Sequence, residues 1–371
     1  MTYNSYRLGD VTINHDRIRV PLSSMERAKR KGQYRYYGAQ GIIDYIDDYL
    51  FDGNYMLIAE DGENLKSNKQ NIAQIVSGQF WVNNHAHIIQ TNEKCNLIYL
   101  CYLLNSMDIS GYITGSAQPK LSQANLNAIA VLLPPRMIQD RVVSILASLD
   151  NKIELNNRIN ENLLQQAGAV FDKFYADSSN QQLFTSLINV LGGGTPKTGN
   201  PDFWNGAIPF FTPKDVGAPY TFRTEKYLTE SGLAHCNSRL YPKNTTFVTA
   251  RGTVGKASLA GVPMAMNQSC YALTSETADP LLVYFYVLKA VASLKHKASG
   301  AVFDAIVTRD FDSETINILS DDDSRSVLSV IRPMMQIIHN NSEENNRLAS
   351  VRDSLLPRLM SGELDVSDLD L

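Results

Sequence analysis

Cysteine is scarce and badly placed for chemistry: Cys95, Cys101, Cys236 and Cys270 form no Cys-x-x-Cys pair, and none has a histidine at zinc-ligand spacing. That removes the common zinc and redox motifs and leaves free, mostly buried thiols suited to a reducing compartment. Long apolar runs are missing as well. The stretch from Leu281 to Leu294 is short for a membrane span and contains Lys289, so it reads as a core helix. The first seven residues lack the basic-then-apolar layout of a secretion signal, and a cytoplasmic protein with no membrane role is expected.

Catalytic patterns are also absent. The run Gly192-Gly193-Gly194-Thr195-Pro196-Lys197-Thr198-Gly199 invites a phosphate-loop reading, but Gly199 is followed by Asn200-Pro201, so no lysine stands at a helix start to meet a nucleotide. Asn200-Pro201-Asp202-Phe203 is only superficially like an amino-methyltransferase loop, because Asp202 replaces the second proline and no glycine-rich AdoMet loop follows a strand. There is no Gly-x-Ser-x-Gly elbow, and acid-x-lysine spacing at Asp150-Asn151-Lys152 falls inside a helix pattern. His85 and His87 would share a strand face, but a metal there lacks a third ligand nearby. Binding, not catalysis, is the expectation.

What is present is a duplication. Gly53-Asn54-Tyr55-Met56-Leu57-Ile58-Ala59 answers to the run from Lys243 to Ala250, and Leu97–Leu104 answers to Leu281–Leu288. Gly115 answers to Gly300, and Asn156-Asn157 to Asn340-Asn341, at an offset of roughly half the chain. Each half opens as an α+β domain, with short strands such as Phe80-Trp81-Val82 and Thr246-Phe247-Val248-Thr249 between Gly, Pro and Asn turns.

Each half closes on a long helix. From Arg136 to about Tyr175, Val142, Ile145, Leu149, Ile153, Asn156, Asn160, Leu163, Ala167, Val170 and Phe174 recur at steps of three and four. The second copy reads Val327, Val330, Met334, Ile337, Asn341, Asn345, Leu348, Val351, Leu355 and Leu359. Helices of about 40 residues rise on the order of 60 Å, and so narrow an apolar stripe needs a partner helix. Antiparallel pairing would bring Asn156 and Asn160 near Asn341 and Asn345, where buried amides set register at some cost in stability.

The formal net charge is -4, but its distribution is uneven: 12 basic residues against 12 acidic over 1–133, 5 against 6 over 134–177, 12 against 10 over 178–319, and 5 against 10 over 320–371. The acid therefore lies in Asp321-Asp322-Asp323 and the tail from Glu363 to Asp370, leaving a near-neutral body with local basic clusters. Lys29, Arg30, Lys31 and Arg35, with Lys120, are the candidate DNA contacts of the first half. In the second half they are Thr195 and Lys197 on the glycine-rich turn, Lys214, and Arg251, Thr253 and Lys256 in a glycine-bracketed loop between two strands. Asn267 and Gln268, expected on the return strand, could read adenine, but a core role is preferred.

Gly193-Gly194-Thr195-Pro196, Asn200-Pro201, Trp204, Ile208-Pro209-Phe210, Thr212-Pro213-Lys214-Asp215, Arg251-Gly252-Thr253-Val254-Gly255 and Asn267-Gln268 closely resemble a target recognition domain of the DNA-specificity subunit of type I restriction-modification systems. Leu132-Leu133-Pro134-Pro135, Gln139 and Leu149-Asp150-Asn151-Lys152-Ile153-Glu154 resemble the start of that family's first conserved helix, and the run from Leu355 to Asp365 the end of its second. Residues 1–130 resemble it less, since the Gly-Gly-Thr-Pro element is absent there. The resemblance implies an α+β chain of two pseudo-repeated target recognition domains, 1–133 and 178–320, separated by two long helices, 134–177 and 321–371 with the acidic tail, that form an antiparallel coiled coil. It implies a non-catalytic subunit that binds double-stranded DNA and assembles with two methyltransferase subunits, which bring AdoMet, and with translocase-nuclease subunits, which bring ATP and Mg. The competing expectation is a coiled-coil scaffold or ligand-binding protein without sequence-specific DNA recognition; a stand-alone enzyme is the third.

Overall fold

The computed structural model describes residues 3–67, 70–115, 118–217, 219–297 and 305–367, so Gly300 and the tail beyond residue 367 lie outside the described residues. The chain divides into two compact units, Met1–Asn151 with Ala349–Leu371, and Lys152–Leu348. Among the described residues, helices of ten residues or more are α1 (Leu97–Ser106), α2 (Arg136–Asp177), α3 (Pro280–Lys297) and α4 (Asp321–Met360). No helix among the described residues is long and apolar enough to cross a membrane.

In the first unit, β1 (Asn4–Arg7) pairs antiparallel with β8 (Ala130–Leu133) just ahead of α2. The remaining strands, β2 (Thr12–Asn14), β3 (Lys31–Gly38), β4 (Gly41–Ile46), β5 (Phe51–Ala59), β6 (Ala73–Val82) and β7 (Ala86–Thr91), form one sheet in the order β2-β7-β5-β6-β3-β4. Alternation along β5 sends Met56 and Ile58 to one face and Leu57 to the other. The first face packs on Tyr99, Leu100 and Leu104 of α1, and Val142 and Leu146 of α2 join the same core.

In the second unit, β9 (Gln181–Leu183) pairs with β18 (Thr315–Asn317) just ahead of α4. A five-stranded sheet runs β10-β17-β14-β15-β12, from β10 (Asn189–Gly192), β12 (Tyr220–Thr221), β14 (Thr246–Thr249), β15 (Ala257–Ala260) and β17 (Cys270–Thr274). A three-stranded sheet runs β13-β11-β16, from β11 (Trp204–Phe211), β13 (Lys226–Leu228) and β16 (Ala265–Met266). α3 covers the larger sheet, with Val248, Leu259 and Leu273 beneath it, and Phe171 of α2 stacks on Phe285 at 5.3 Å.

The two units share one core topology, with β12 added in the second. β5 lies between β6 and β7 in antiparallel pairing, as β14 lies between β15 and β17. β2 adds to β7 as β10 adds to β17. The end of β6 pairs parallel with β3, Tyr36 opposite Trp81, as β16 pairs parallel with β11, Phe210 opposite Ala265. β6 is continuous, whereas its counterpart is broken into β15 and β16 at Gly261-Val262-Pro263, where proline has no N–H for the ladder. That break splits one sheet into two.

α2 and α4 run antiparallel in each unit. In the first, Arg352 of α4 pairs with Asp150 of α2 at 2.7 Å, and Tyr102 of α1 donates to the same carboxylate. In the second, Asn156 Nδ2 donates to Asn345 Oδ1 at 2.9 Å and to Glu344 at 2.8 Å, while Asn341 Nδ2 donates to Asn160 Oδ1 at 2.9 Å. Asn156 and Asn160 are buried. The seam expected on α4 needs correction: Val330, Ile337 and Val351 are exposed, and Ile331, Met335 and Ile338 are buried instead. The first half of α4 packs on the sheet-and-helix core of its unit as well as on α2, so its buried face follows the 3.6-residue period of a helix on a globular core and not a strict heptad.

Candidate nucleic-acid interface

A cleft of about 380 Å³ opens in the second unit between the ends of β11, β13, β14 and β16, lined by Thr212, Pro213, Lys214, Glu225, Lys226, Arg251, Gly252, Asn267 and Ser269. Three local devices shape it. After β11, Asp215 accepts from Thr212 N–H at 2.8 Å, Thr212 Oγ1 at 2.6 Å and Glu225 N–H at 2.7 Å, which fixes the turn that carries the exposed Lys214. Lys214 reaches Glu225 at 3.6 Å, and both side chains stay largely exposed.

The loop from Arg251 to Lys256 is held from within. Gly255 N–H donates to Thr249 O at 2.8 Å, Lys256 N–H to Thr249 Oγ1 at 3.0 Å, and Thr249 Oγ1 to Thr253 O. Lys295 of α3 donates to Gly255 O at 2.8 Å. Gly252 and Gly255 both have positive φ, +80° and +70°, which side chains resist. Arg251, Thr253 and Lys256 are consequently displayed, exposed, on an ordered loop.

The glycine-rich turn is the third device. A Cβ on Gly193 would collide with Asn267 O, and one on Gly194 would sit 2.7 Å from Asn237 N, so the Gly-Gly-Thr-Pro element packs backbone against backbone. Thr195 Oγ1 thereby meets Gln268 Oε1, and Lys197 stands exposed on the same turn. Asn267 and Gln268 correct the sequence reading. They lie in the turn between β16 and β17, not on a strand; Gln268 is exposed, and Asn267 lines the cleft with its Oδ1 accepting from Ser269 N–H at 3.0 Å. A tight turn needs its polar residues at its tip, and an Asn-x-Ser sequence reads equally as turn or strand.

Lys226 was missed by the sequence reading. It lines the cleft over Trp204, 5.5 Å from the ring centroid, and reaches it through the antiparallel pairing of β13 with β11, which places Lys226 opposite Phe210. No local signal marks it.

The basic residues of the first unit are differently placed. Arg30 pairs with Asp47 at 2.9 Å and Asp48 at 3.6 Å, and Lys31 with Asp44 at 2.6 Å. Lys31 and the Tyr45 N–H, with a lesser contribution from Arg27, hold the Asp44 carboxyl below its ordinary pKa range against the opposing effect of burial. Arg35 donates to Ser77 O at 2.5 Å, Lys29 is exposed, and Lys120 lies 3.4 Å from Glu60. His87, read as one half of a histidine pair, is buried with both ring nitrogens engaged, at 2.6 Å to Asp16 and 2.8 Å to Leu121 O.

Residues 2–165 and 182–348 match the model of the type I restriction modification DNA specificity domain. The chain is 37% identical over 131 residues to a putative type I restriction enzyme specificity subunit, S.HindORF215P, of Haemophilus influenzae, covering 35% of this chain and 33% of that one. It is 27% identical over 168 residues to the MjaIX specificity subunit of Methanocaldococcus jannaschii, covering 44% and 39%. These two matches thus span less than half of the relatives' lengths. A third, the HindI specificity subunit of Haemophilus influenzae, is matched at 21% identity over 96% of this chain and 93% of its own length. The fold is similar to a crystal structure of a type I restriction-modification S subunit from M. genitalium, with a TM-score of 0.62 at 11% identity over 97% of this chain and 96% of that one.

Proposed function

The chain belongs to the DNA-specificity subunit family of type I restriction-modification systems, and from that premise we propose that each unit reads one half of a bipartite double-stranded DNA target. The observation that carries this reading is the shared strand topology of the two units with different loops at the corresponding strand ends. One scaffold then presents two different reading surfaces. In the second unit, Arg251 and Lys226 offer donors to the acceptor edge of guanine, the arginine able to bind bidentately. Thr195, Lys197, Lys214, Thr253 and Lys256, all exposed, serve as phosphate contacts. In the first unit Lys29, Arg30, Lys31, Arg35 and Lys120 take the phosphate role, and Arg30 and Lys31 must exchange their aspartate partners to do so.

The paired helices α2 and α4 act as a ruler that fixes the separation of the half-sites, as the docking surface for two methyltransferase subunits, and through its Asn156, Asn160, Asn341 and Asn345 layer as a register-setting seam. The chain supplies no catalysis. AdoMet enters with the methyltransferase partners, and ATP and Mg with translocase-nuclease subunits, in the cytoplasm. Comparing methylated motifs in cells with and without the gene gives the target sequence. A duplex carrying that motif should then bind the assembled subunit, and lengthening the spacer between its two blocks by one base pair should abolish specific binding. Indifference to spacer length would reject the ruler; absence of any sequence preference would favour a scaffold.

A further inference from the structure

The equivalence of the two units extends from strands to single residues around the cleft. Ala250 N–H donates to Ser269 O at 2.8 Å and Ile306 N–H to Ala250 O at 2.9 Å; in the first unit Glu60 N–H donates to His85 O at 2.9 Å and Leu121 N–H to Glu60 O at 2.8 Å. The next residue forms an isolated antiparallel bridge in both, Arg251 with Ala305 and Asp61 with Lys120. A glycine of positive φ follows in both, Gly252 at +80° and Gly62 at +118°. Asn267 Oδ1 caps Ser269 N–H as Asn83 Oδ1 caps His85 N–H at 2.9 Å. Lys226 stands opposite Phe210 as Asp44 stands opposite Tyr36.

Thus Arg251, Lys226 and Ser269 correspond to Asp61, Asp44 and His85, and two of the three cations that line the cleft of the second unit, Arg251 and Lys226, are matched by acids in the first. The two acids differ in use. Asp44 is taken by Arg27 at 3.2 Å and Lys31 at 2.6 Å. Asp61 accepts instead from His85 Nδ1 at 2.6 Å, with the imidazole half exposed. Once Nδ1–H is committed to Asp61, Nε2 of the neutral ring is an acceptor. The amide of the exposed Gln40 lies over the same turn, since a Cβ on Gly62 would be 3.5 Å from Gln40 Nε2.

We propose that Asp61 and His85 form the base-reading pair of the first unit and recognise the exocyclic amine of cytosine or adenine in the major groove. This rests on the DNA reading proposed above. A carboxylate repels phosphate, so a partly exposed acid at this position suits a base edge with a donor, cytosine N4 or adenine N6. The two corresponding surfaces then differ in the sign of hydrogen bonding they offer: donors from Arg251, acceptors from Asp61 and His85. One topology reads two unlike half-sites by this exchange.

The test is selection of randomised duplexes by the full chain assembled with its methyltransferase partner, as wild type, D61N and H85Q, with melting temperatures measured alongside. The wild type should enrich a two-block motif with cytosine or adenine at the affected position. D61N should relax discrimination at one or two base pairs of one block by about 5- to 100-fold, leave the other block unchanged and keep the same salt slope, because no phosphate contact is lost. H85Q should relax the same block and decides the matter if D61N fails to fold. An unchanged motif in the folded variants, or a uniform loss over both blocks, overturns the assignment while leaving the DNA reading intact. A wild type that enriches no motif defeats the DNA reading itself.

Discussion

Asn341 donates its amide to Asn160 Oδ1 at 2.9 Å, joining α4 to α2 through a buried side chain that also donates to Ser342 Oγ at 3.3 Å. Removing one member leaves the other's polar atom buried without its partner, which costs about 1–3 kcal/mol. Replacing both by leucine restores an apolar seam. N160L or N341L alone should therefore lower the stability of the chain in urea unfolding, and the double variant should recover most or all of the loss. Additive losses in the double-mutant cycle would show that the two amides are not coupled.

Asp16 carries a prediction about acid. Burial alone would raise its pKa, but hydrogen bonds from His87 and from Ile88 N–H, the His87 charge and Asn14 outweigh burial, and the net shift is below the ordinary 3.8. A folded-state value below the unfolded one gives stabilisation that is full above the ordinary value and is lost as pH falls below 3.8 toward the lowered one. D16N should thus cost about 1–3 kcal/mol at neutral pH and markedly less near pH 3, in urea titrations at the two pH values. An equal cost at both would mean that the carboxylate's charge is not what the fold uses.

Gly193 tests the packing of the glycine-rich turn. Its Cβ would collide with Asn267 O and lie 2.8 Å from Met266 O, both backbone atoms that cannot swing aside. G193A should destabilise by about 1–3 kcal/mol and weaken DNA binding by displacing Thr195 from Gln268. G192A is the control, because nothing lies within 4 Å of a Cβ there. Equal melting temperatures for the two variants would show that the close approach is unimportant.

What the sequence made legible was the covalent record of duplication. Helices longer than a small domain can bury, a strand such as Thr246–Thr249, and a glycine-bracketed loop all declare themselves locally. The order of features gave the two-domain α+β plan before any sheet could be drawn. Illegible were matters decided by pairing across the chain. Lys226 enters the cleft only because β13 folds back on β11, and the acids that occupy Arg30 and Lys31 come from the neighbouring hairpin. Val327, Asn341, Asn345 and Leu359 lie on the buried or paired face of α4 as expected, but Val330 and Ile337 give way to Ile331 and Ile338 because a helix that touches both a partner helix and a globular core obeys two periods at once.

Arg251 carries the last prediction. It is exposed at the mouth of the cleft, on a loop whose backbone is fixed by Thr249, Lys295 and two glycines of positive φ, so the backbone that presents it needs no ordering before binding. A guanidinium so presented can meet guanine O6 and N7 together, and each such pair contributes about 1–3 kcal/mol of discrimination. R251Q should lower affinity for the cognate duplex by about 5- to 100-fold and leave affinity for random duplex nearly unchanged. K214Q, in contrast, should weaken both alike and reduce the salt slope by about 1, as loss of a single phosphate contact does. Anisotropy titrations over a range of salt separate the two patterns. A uniform loss in R251Q with a reduced slope would reassign Arg251 from base edge to backbone.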